Sequence, residues 1–301
     1  MVFNIGGVLI NYIGVNEYFI NRSSSFISDS EPGNVEYDME IKFDLCDNVE
    51  IPDGDEIFSD NETIILKKRY PENGFYIYLD DFERRRKSLK AAVIDVNDSW
   101  SKVILRYIYS DRIFATTDNG KRYIWAQFHS FLSMGIVYRN YLIKNEGIQI
   151  HSSSIEFEDK AIIFSAPSGT GKSTHVALWK ELYGDMVSIV NEDRPCIRYI
   201  DKVPMVCGTP WSGTSDNFTN KIVPLKAIVM LEQAKDNSME KLPSISALPL
   251  LMPRCFMPYF DQEMMNEAMD TLERLINDVP IYLLKCRPDY EAVELVRKCV
   301  I

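Results

Sequence analysis

The segment AIIFSAPSGTGKSTHVALWKELY, residues 161–183, constrains this chain more than any other. Ala161–Phe164 is a short apolar run of the kind that fills a buried strand, and Val176, Trp179, Leu182 and Tyr183 recur at helical spacing. Pro167, Ser168, Gly169 and Gly171 supply turn residues between them. Strand, glycine-bearing loop and helix in that order are the context in which a Gly-Lys-Ser-Thr sequence works as a phosphate loop.

The chemistry follows from the residue types. Glycines let successive backbone N–H groups turn inward around an anion without Cβ clashes. A helix opening at Lys172 points its unpaired amides and positive dipole end at the same place. Ala166, Ser168, Gly169, Thr170, Gly171, Lys172, Ser173 and Thr174 are therefore the expected nucleotide cradle, with ATP and Mg²⁺ as its expected ligands. Lys172 adds a mobile ammonium for the β- and γ-phosphates, and the hydroxyl of Ser173, or second to it Thr174, is placed to hold the metal. The usual pattern opens with Gly where this chain has Ala166. Alanine takes positive φ only at a cost, so the loop entry is expected to keep a negative φ.

Downstream, Met186–Val190 is a second apolar strand that runs into Asn191-Glu192-Asp193. Carboxylates at the end of a strand beside a phosphate loop have two uses. One binds Mg²⁺, directly or through water, and another accepts the proton of an attacking hydroxyl. The alternative is an ordinary acidic turn before the hairpin Cys196–Ile200 and Val203–Val206; the phosphate loop upstream favours a site.

The remaining segments frame these two. Residues 123–144 read as a long helix with a core stripe of Trp125, Phe128, Leu132, Ile136 and Leu142, and His129 packed within it. Ile148–Ile155 reads as a strand carrying His151. The loop from Gly208 to Gly213, with Trp211 inside it, is either a substrate lid or a packed turn. Leu225–Leu231 is a core strand, residues 262–277 an amphipathic helix through Met265, Met269, Leu272 and Ile276, Ile281–Leu284 a last strand and Asp289–Val300 a last helix. Mixed strands and helices give an α/β core.

Residues 1–122 differ. Short apolar or β-branched runs (Val2–Ile10, Val35–Phe43, Thr63–Leu66, Phe75–Leu79, Ala91–Val96, Val103–Tyr109, Arg112–Thr116) alternate with turn signals such as Pro32-Gly33 and Asn73-Gly74, which marks a β-rich region. The run Arg84-Arg85-Arg86-Lys87 reads as a solvated turn or edge. No catalytic constellation is visible there, so the region is either a recognition module or a scaffold. The expected division is a β-rich region over 1–122 and a nucleotide-binding domain over 123–301.

The net charge of −11 argues against nucleic acid or an anionic membrane as the main partner. Six scattered cysteines without a CxxC pair, no apolar run of membrane-span length and no signal-like N-terminus lead to an expectation of a reduced, cytoplasmic protein. Three histidines argue against a multi-histidine metal site.

Taken together, His151, the loop Ala166–Thr174 and the pair Glu192-Asp193 resemble the catalytic domain of the HPr kinase/phosphorylase family, whose fold is related to phosphoenolpyruvate carboxykinase. The resemblance extends to HPr-kinase-like proteins found beside ribosomal peptide modification systems, on Ser168–Thr174, Leu178-Trp179, Asn191-Glu192-Asp193, Gly208–Trp211, the Pro224–Ile228 strand and Asn237. It covers roughly residues 123–301. It implies that Lys172 and Ser173 bind phosphate and Mg²⁺, that Glu192 stands at the general base, where the family has Asp, and that Asp193 is the second carboxylate, meeting His151. The expected activity is ATP- and Mg²⁺-dependent transfer of phosphate to a hydroxyl of a peptide, protein or small molecule. A nucleotide-sensing interaction protein is the alternative. Carboxykinase-like chemistry would need a second metal site, for which no ligand set is evident.

Overall fold

The computed structural model describes residues 1–301 apart from 48, 50–51, 61–62, 81–89, 109–112, 117–119 and 214. The basic run Arg84–Lys87 lies outside the described residues. The chain divides into two compact units. The first comprises Met1–Lys144 with Tyr259–Gln262, the second Asn145–Pro258 with Glu263–Ile301. The helix read over residues 123–144 thus belongs to the first unit, whereas the sequence grouped it with the second.

In the first unit the strands are β1 (Val2–Ile5), β2 (Val8–Ile13), β3 (Met39–Cys46), β4 (Asp55–Ser59), β5 (Thr63–Lys67), β6 (Phe75–Asp80), β7 (Lys90–Val96), β8 (Lys102–Ile108), β9 (Ile113–Thr116) and β10 (Arg122–Ile124). Among the described residues, eight of them form one sheet in the order β1-β2-β3-β8-β7-β6-β5-β4, and β9 and β10 pair separately. The segment Val2–Ile10 is a hairpin rather than one strand. Gly6 and Gly7 take φ of 58° and 80°, and two consecutive positive-φ residues make the tight turn that matches strand twist.

Helices α1 (Glu17–Arg22) and α2 (Trp125–Lys144) pack on each other. Asn16 caps α1 by accepting from the Phe19 amide, and its side-chain amide donates to Ser130 Oγ on α2 at 2.7 Å. The buried stripe of α2 runs through Phe131, Met134, Val137, Tyr138 and Tyr141, while Leu132 and Ile136 are only half-buried. The helix starts two residues later than expected and its buried face is rotated, although Leu142 is buried as expected. His129 is buried beside the Trp125 ring, in keeping with a packed core histidine.

The second unit contains β11 (Gly147–Gln149), β12 (Ser152–Phe157), β13 (Lys160–Ser165), α3 (Lys172–Tyr183), β14 (Val187–Asn191), β15 (Cys196–Ile200), β16 (Val203–Cys207), β17 (Ile222–Gln233), β18 (Ser238–Lys241), α4 (Ser244–Leu251), α5 (Gln262–Asp278), β19 (Ile281–Cys286) and α6 (Tyr290–Val300). Its centre is three parallel strands: β17 runs between β13 and β19. Beyond β13 the sheet continues with β12, antiparallel to β13, and then β14, antiparallel to β12, and the first residues of β17 pair with β16.

Both faces of the parallel trio are covered, which is why its strands read as unbroken apolar runs. On one face Ile163, Ile228 and Met230 meet Leu251 of α4 and Leu272, Leu275 and Ile276 of α5. On the other, Ile162, Phe164, Ala227 and Val229 meet Val176 and Trp179 of α3 and Val293 and Val296 of α6. The result is a mixed α/β unit layered helix, sheet, helix. In α5 the fully buried positions are Met264, Ala268, Leu272 and Leu275, with Met269 packed at the margin and Met265 half-buried. No helix among the described residues is long and apolar enough to cross a membrane.

Candidate functional site

The loop from Ala166 to Gly171 joins β13 to α3, so the strand, loop and helix that the sequence required are present. Ala166 is fully buried among Phe164, Val176 and Trp179 and is not among the positive-φ residues, as its Cβ demands. Left-handed geometry falls instead on Gly169 and Gly171, with φ of 78° and 110° and open space where a Cβ would stand.

Gly171 is the N-cap of α3 and has no side chain with which to cap it. Among the described residues no side chain caps the first amides of the helix, and amides at such a position are donors suited to an anion. Lys172 folds back so that Nζ donates to the Ala166 carbonyl at 3.1 Å. Burial lowers the Lys172 pKa; the Asp193 charge raises it and that of Arg254 lowers it further, with a net shift downward.

The carboxylate pair sits at the end of β14, and its orientation comes from Asn191. The buried Asn191 side-chain carbonyl accepts from the amides of Asp193 (2.9 Å) and Arg194 (2.6 Å), turning the chain as the strand ends. Its amide group donates to the Thr209 carbonyl at 2.8 Å and to Thr209 Oγ1 at 3.2 Å. The loop from Gly208 to Gly213 is thereby a packed turn: Thr209 and Trp211 are buried, and a Cβ on Gly208 would lie 1.8 Å from the Thr219 carbonyl oxygen. Of the two readings open from sequence, the lid fails.

Asp193 meets His151, with Nε2 to Oδ1 at 3.3 Å, and accepts from Arg194 Nε at 3.1 Å. Burial alone would raise its pKa. The His151 hydrogen bond and the Arg194 and His151 charges outweigh that and hold the carboxyl below its ordinary range. Glu192 faces a different setting. Its carboxylate accepts from Asn217 Nδ2 at 2.7 Å, and it lines a groove of about 350 Å³ together with Ser173 and Asn217.

His151 is not inside a strand. The run Ile148–Ile155 breaks at this residue because β11 pairs with β15 while β12 pairs with β13 and β14, so the chain changes partners between them. The break is fixed by the backbone: the His151 amide donates to the Arg254 carbonyl at 2.8 Å, and the Ser152 amide to that of Asp193 at 3.0 Å. The imidazole is thus presented from a bend with side-chain exposure of 34%.

Two hollows flank the loop at the carboxyl ends of the parallel strands. One, a cleft of about 570 Å³, runs from Ala166–Thr170 to Pro249, Leu250 and Arg254. The other, of about 440 Å³, is lined by Gly169–Gly171, Thr174, His175, the end of β17 and Cys286–Pro288. Gln233 Nε2 donates to the Thr170 carbonyl at 3.2 Å and ties the end of β17 to the loop. Asn237 pins the second hollow, accepting from the Arg287 amide (3.0 Å) and donating to Asp289 (3.0 Å).

The structure therefore brings His151 and Asp193 together, groups Ser173 with Glu192, and sets Lys172 within electrostatic reach of Asp193. Sequence reasoning missed Asn217, Arg254, Gly213 and the positioning role of Asn191. Asn217 and Arg254 lie in segments without periodicity or motif, whereas Asn191 directly before two carboxylates was a usable signal.

No family model and no curated protein matches the chain. Among solved structures, the chain is similar to the Hpr(Ser) kinase/phosphatase from Coxiella burnetii over 50% of its own length and 89% of that chain. The TM-score is 0.30 and the identity 10%, a distant structural relationship.

Proposed function

We propose that the second unit binds ATP with Mg²⁺ on Ala166–Thr174 and transfers the terminal phosphoryl group to a hydroxyl of a peptide, protein or small molecule. The observation that carries this reading is the uncapped start of α3, opening beside a partly buried lysine that feels the charge of Asp193. Such an arrangement suits a polyanion whose reacting end must meet both a cation and a carboxylate.

The roles follow from position. Amides of the loop and the first turn of α3 hold the phosphate oxygens. Lys172 swings from the Ala166 carbonyl to the β- and γ-phosphates. Glu192, oriented by Asn217, takes the proton of the acceptor hydroxyl. Asp193 is held ionised by His151 and Arg194. His151 orients that carboxylate and balances charge that develops beside it. Mg²⁺, when bound, neutralises charge on the phosphate oxygens; Ser173 and Asp193 would hold it. Among the described residues no cluster of three His, Cys, Asp or Glu exists. Mg²⁺ takes one or two carboxylates and completes its shell with phosphate and water.

Calorimetric titration of Mg-ATP into the wild type and Lys172→Ala tests the reading. Saturable binding that weakens sharply in the variant is expected. Absence of binding to a folded wild type would overturn it. Binding without turnover on any hydroxyl acceptor would favour the nucleotide-sensing alternative.

A further inference from the structure

The chain passes between the two units three times, at Lys144–Asn145, Pro258–Tyr259 and Gln262–Glu263. Two of these passages lead to one short ladder of the second unit. Coming from Lys144, the chain enters β11 and reaches His151 two residues beyond it. Against this stretch runs Arg254–Phe256, which continues toward the first unit through Met257 and Pro258. Three contacts join the two segments. The Phe256 amide donates to the Gln149 carbonyl at 3.0 Å, Ile150 and Cys255 form an antiparallel bridge, and the His151 amide donates to the Arg254 carbonyl at 2.8 Å.

The same ladder reaches the other partner of Asp193. The Arg194 guanidinium lies over the Phe256 ring, 5.5 Å from its centroid, and the buried Gln149 donates its side-chain amide to the Arg194 carbonyl at 3.3 Å. An arginine laid on a ring takes its orientation from that ring. His151 and Arg194 are the residues whose side chains meet the Asp193 carboxylate, and both rest on this ladder.

The outgoing end is anchored within the first unit, to which Tyr259–Gln262 belong. The Phe260 ring meets Phe75 edge-on, with centroids 5.6 Å apart, and Trp100 at 6.2 Å, and both of those rings are buried. Ring pairs of this geometry hold more firmly than the area they bury alone would give. Asp261, whose side chain is 9% exposed, pairs with Lys67 at 3.3 Å. The four steps of chain from Phe256 to Phe260 span at most roughly 14 Å. The ring of Pro258 fixes φ and removes one of the torsions that could absorb a displacement.

We infer that the first unit positions the site through this short link: Phe260 and Asp261 anchor the chain that carries Arg254–Phe256, and that ladder fixes His151 and Arg194 against Asp193. Phe260 is thus a positioning residue that acts through the backbone at Arg254. The consequence for phosphoryl transfer rests on the role proposed for Asp193; the anchoring itself does not.

Residue-resolved hydrogen exchange on the full chain tests this in wild type, Phe260→Ala, Phe260→Leu and a variant with two glycines inserted between Pro258 and Tyr259. The insertion keeps both anchors and slackens only the link between them. The amides of His151 and Phe256 should exchange roughly tenfold or more faster in Phe260→Ala and in the insertion variant, while those of β13 and β17 keep their rates. Phe260→Leu, which retains an apolar anchor, should stay close to wild type. The second readout is the Asp193 carboxyl, titrated by carbon NMR. It feels His151, Arg194 and the Lys172 charge; burial raises its pKa, and the His151 and Arg194 contacts outweigh that and hold it below the ordinary range. In the insertion variant and Phe260→Ala that pKa should rise, because burial remains while the partners are displaced. Wild-type exchange at His151 and Phe256 in a folded insertion variant overturns the inference and shows the ladder held by its own unit. A uniform rise that includes β13 and β17 overturns it as well, as a loss of stability rather than of position. Should Phe260→Ala prove unfolded, the insertion variant decides alone. Neither measurement uses nucleotide, so failure of Mg-ATP to bind wild type would sink the proposed function and leave this result untouched.

Discussion

Gly213 lies so close to Asp193 that a single methyl group on it would stand 2.8 Å from the Asp193 Oδ2. Its φ of +64° is also one that an L side chain adopts at a cost. Gly213→Ala should therefore lower stability by about 1 kcal/mol from backbone strain alone and push the Asp193 carboxylate from its place against His151. Phosphoryl transfer should fall by on the order of 100-fold, the penalty of about 1 Å of misplacement, while Mg-ATP affinity changes far less. Equal transfer rates in the two proteins would show that the Asp193 position is not critical.

Asp193 also makes stability depend on acid. Its pKa is below the ordinary value in the folded chain, with burial opposing and the His151 and Arg194 contacts prevailing. A depressed carboxylate pKa contributes stability that is fully present above the unfolded value of about 3.9 and is lost as pH falls through the folded one. Urea melts of wild type and Asp193→Asn should thus differ most at neutral pH and converge below pH of about 4. A gap that widens toward acid would reverse the sign of the assignment.

His175 predicts a second, separate pH window. Burial drives its pKa down to about 4, and the ring packs against Phe164 and Trp179. The unfolded chain binds a proton near pH 6.5 that the folded chain refuses until about 4, so stability rises with pH between these values. The total is at most about 3 kcal/mol, and His175→Gln should remove that slope. The measurement is the unfolding midpoint of both proteins from pH 7 to 4; parallel curves would mean that His175 takes up its proton in the folded state.

Much of this was legible because the second unit is locally consistent. The runs at Ala161–Phe164 and Leu225–Leu231 are apolar on both faces, and that is how strands buried between two helical layers must read. Gly184, directly after the last apolar position of α3, caps that helix with φ of 56°, a positive value that suits glycine. What sequence could not supply was partner choice. Nothing in Ile148–Ile155 says that pairing switches at His151, because the switch is made by β15 and β14, which are distant in the chain. The sequence reading placed no helix over residues 244–251, which start directly after Pro243 at the N-cap and hold Pro249 inside the helix. In α2 the aromatic residues are so frequent that period alone could not choose the face. The Gly6-Gly7 turn, by contrast, is legible in the sequence, since a Gly-Gly pair between two apolar runs is itself a hairpin signal.

Glu192 offers the sharpest test of the proposed chemistry. Its carboxylate accepts from Asn217 and shares a groove with Ser173, away from the His151 and Arg194 contacts that hold Asp193. A base needs a carboxylate that is oriented but not neutralised by a cation, and of the two residues Glu192 alone meets this. Glu192→Gln should keep Mg-ATP affinity within about threefold, since glutamine preserves the shape and an acceptor for Asn217, and should reduce transfer by at least about 100-fold. Glu192→Asp should keep the charge but retract it by about one bond, again costing on the order of 100-fold, with partial recovery expected only if the acceptor can follow. Both variants are to be assayed across a Mg²⁺ titration. A loss that high Mg²⁺ restores would make Glu192 a metal ligand beside Ser173 and pass the proton-accepting role to Asp193; wild-type rates in Glu192→Gln at every Mg²⁺ concentration would remove Glu192 from the mechanism altogether.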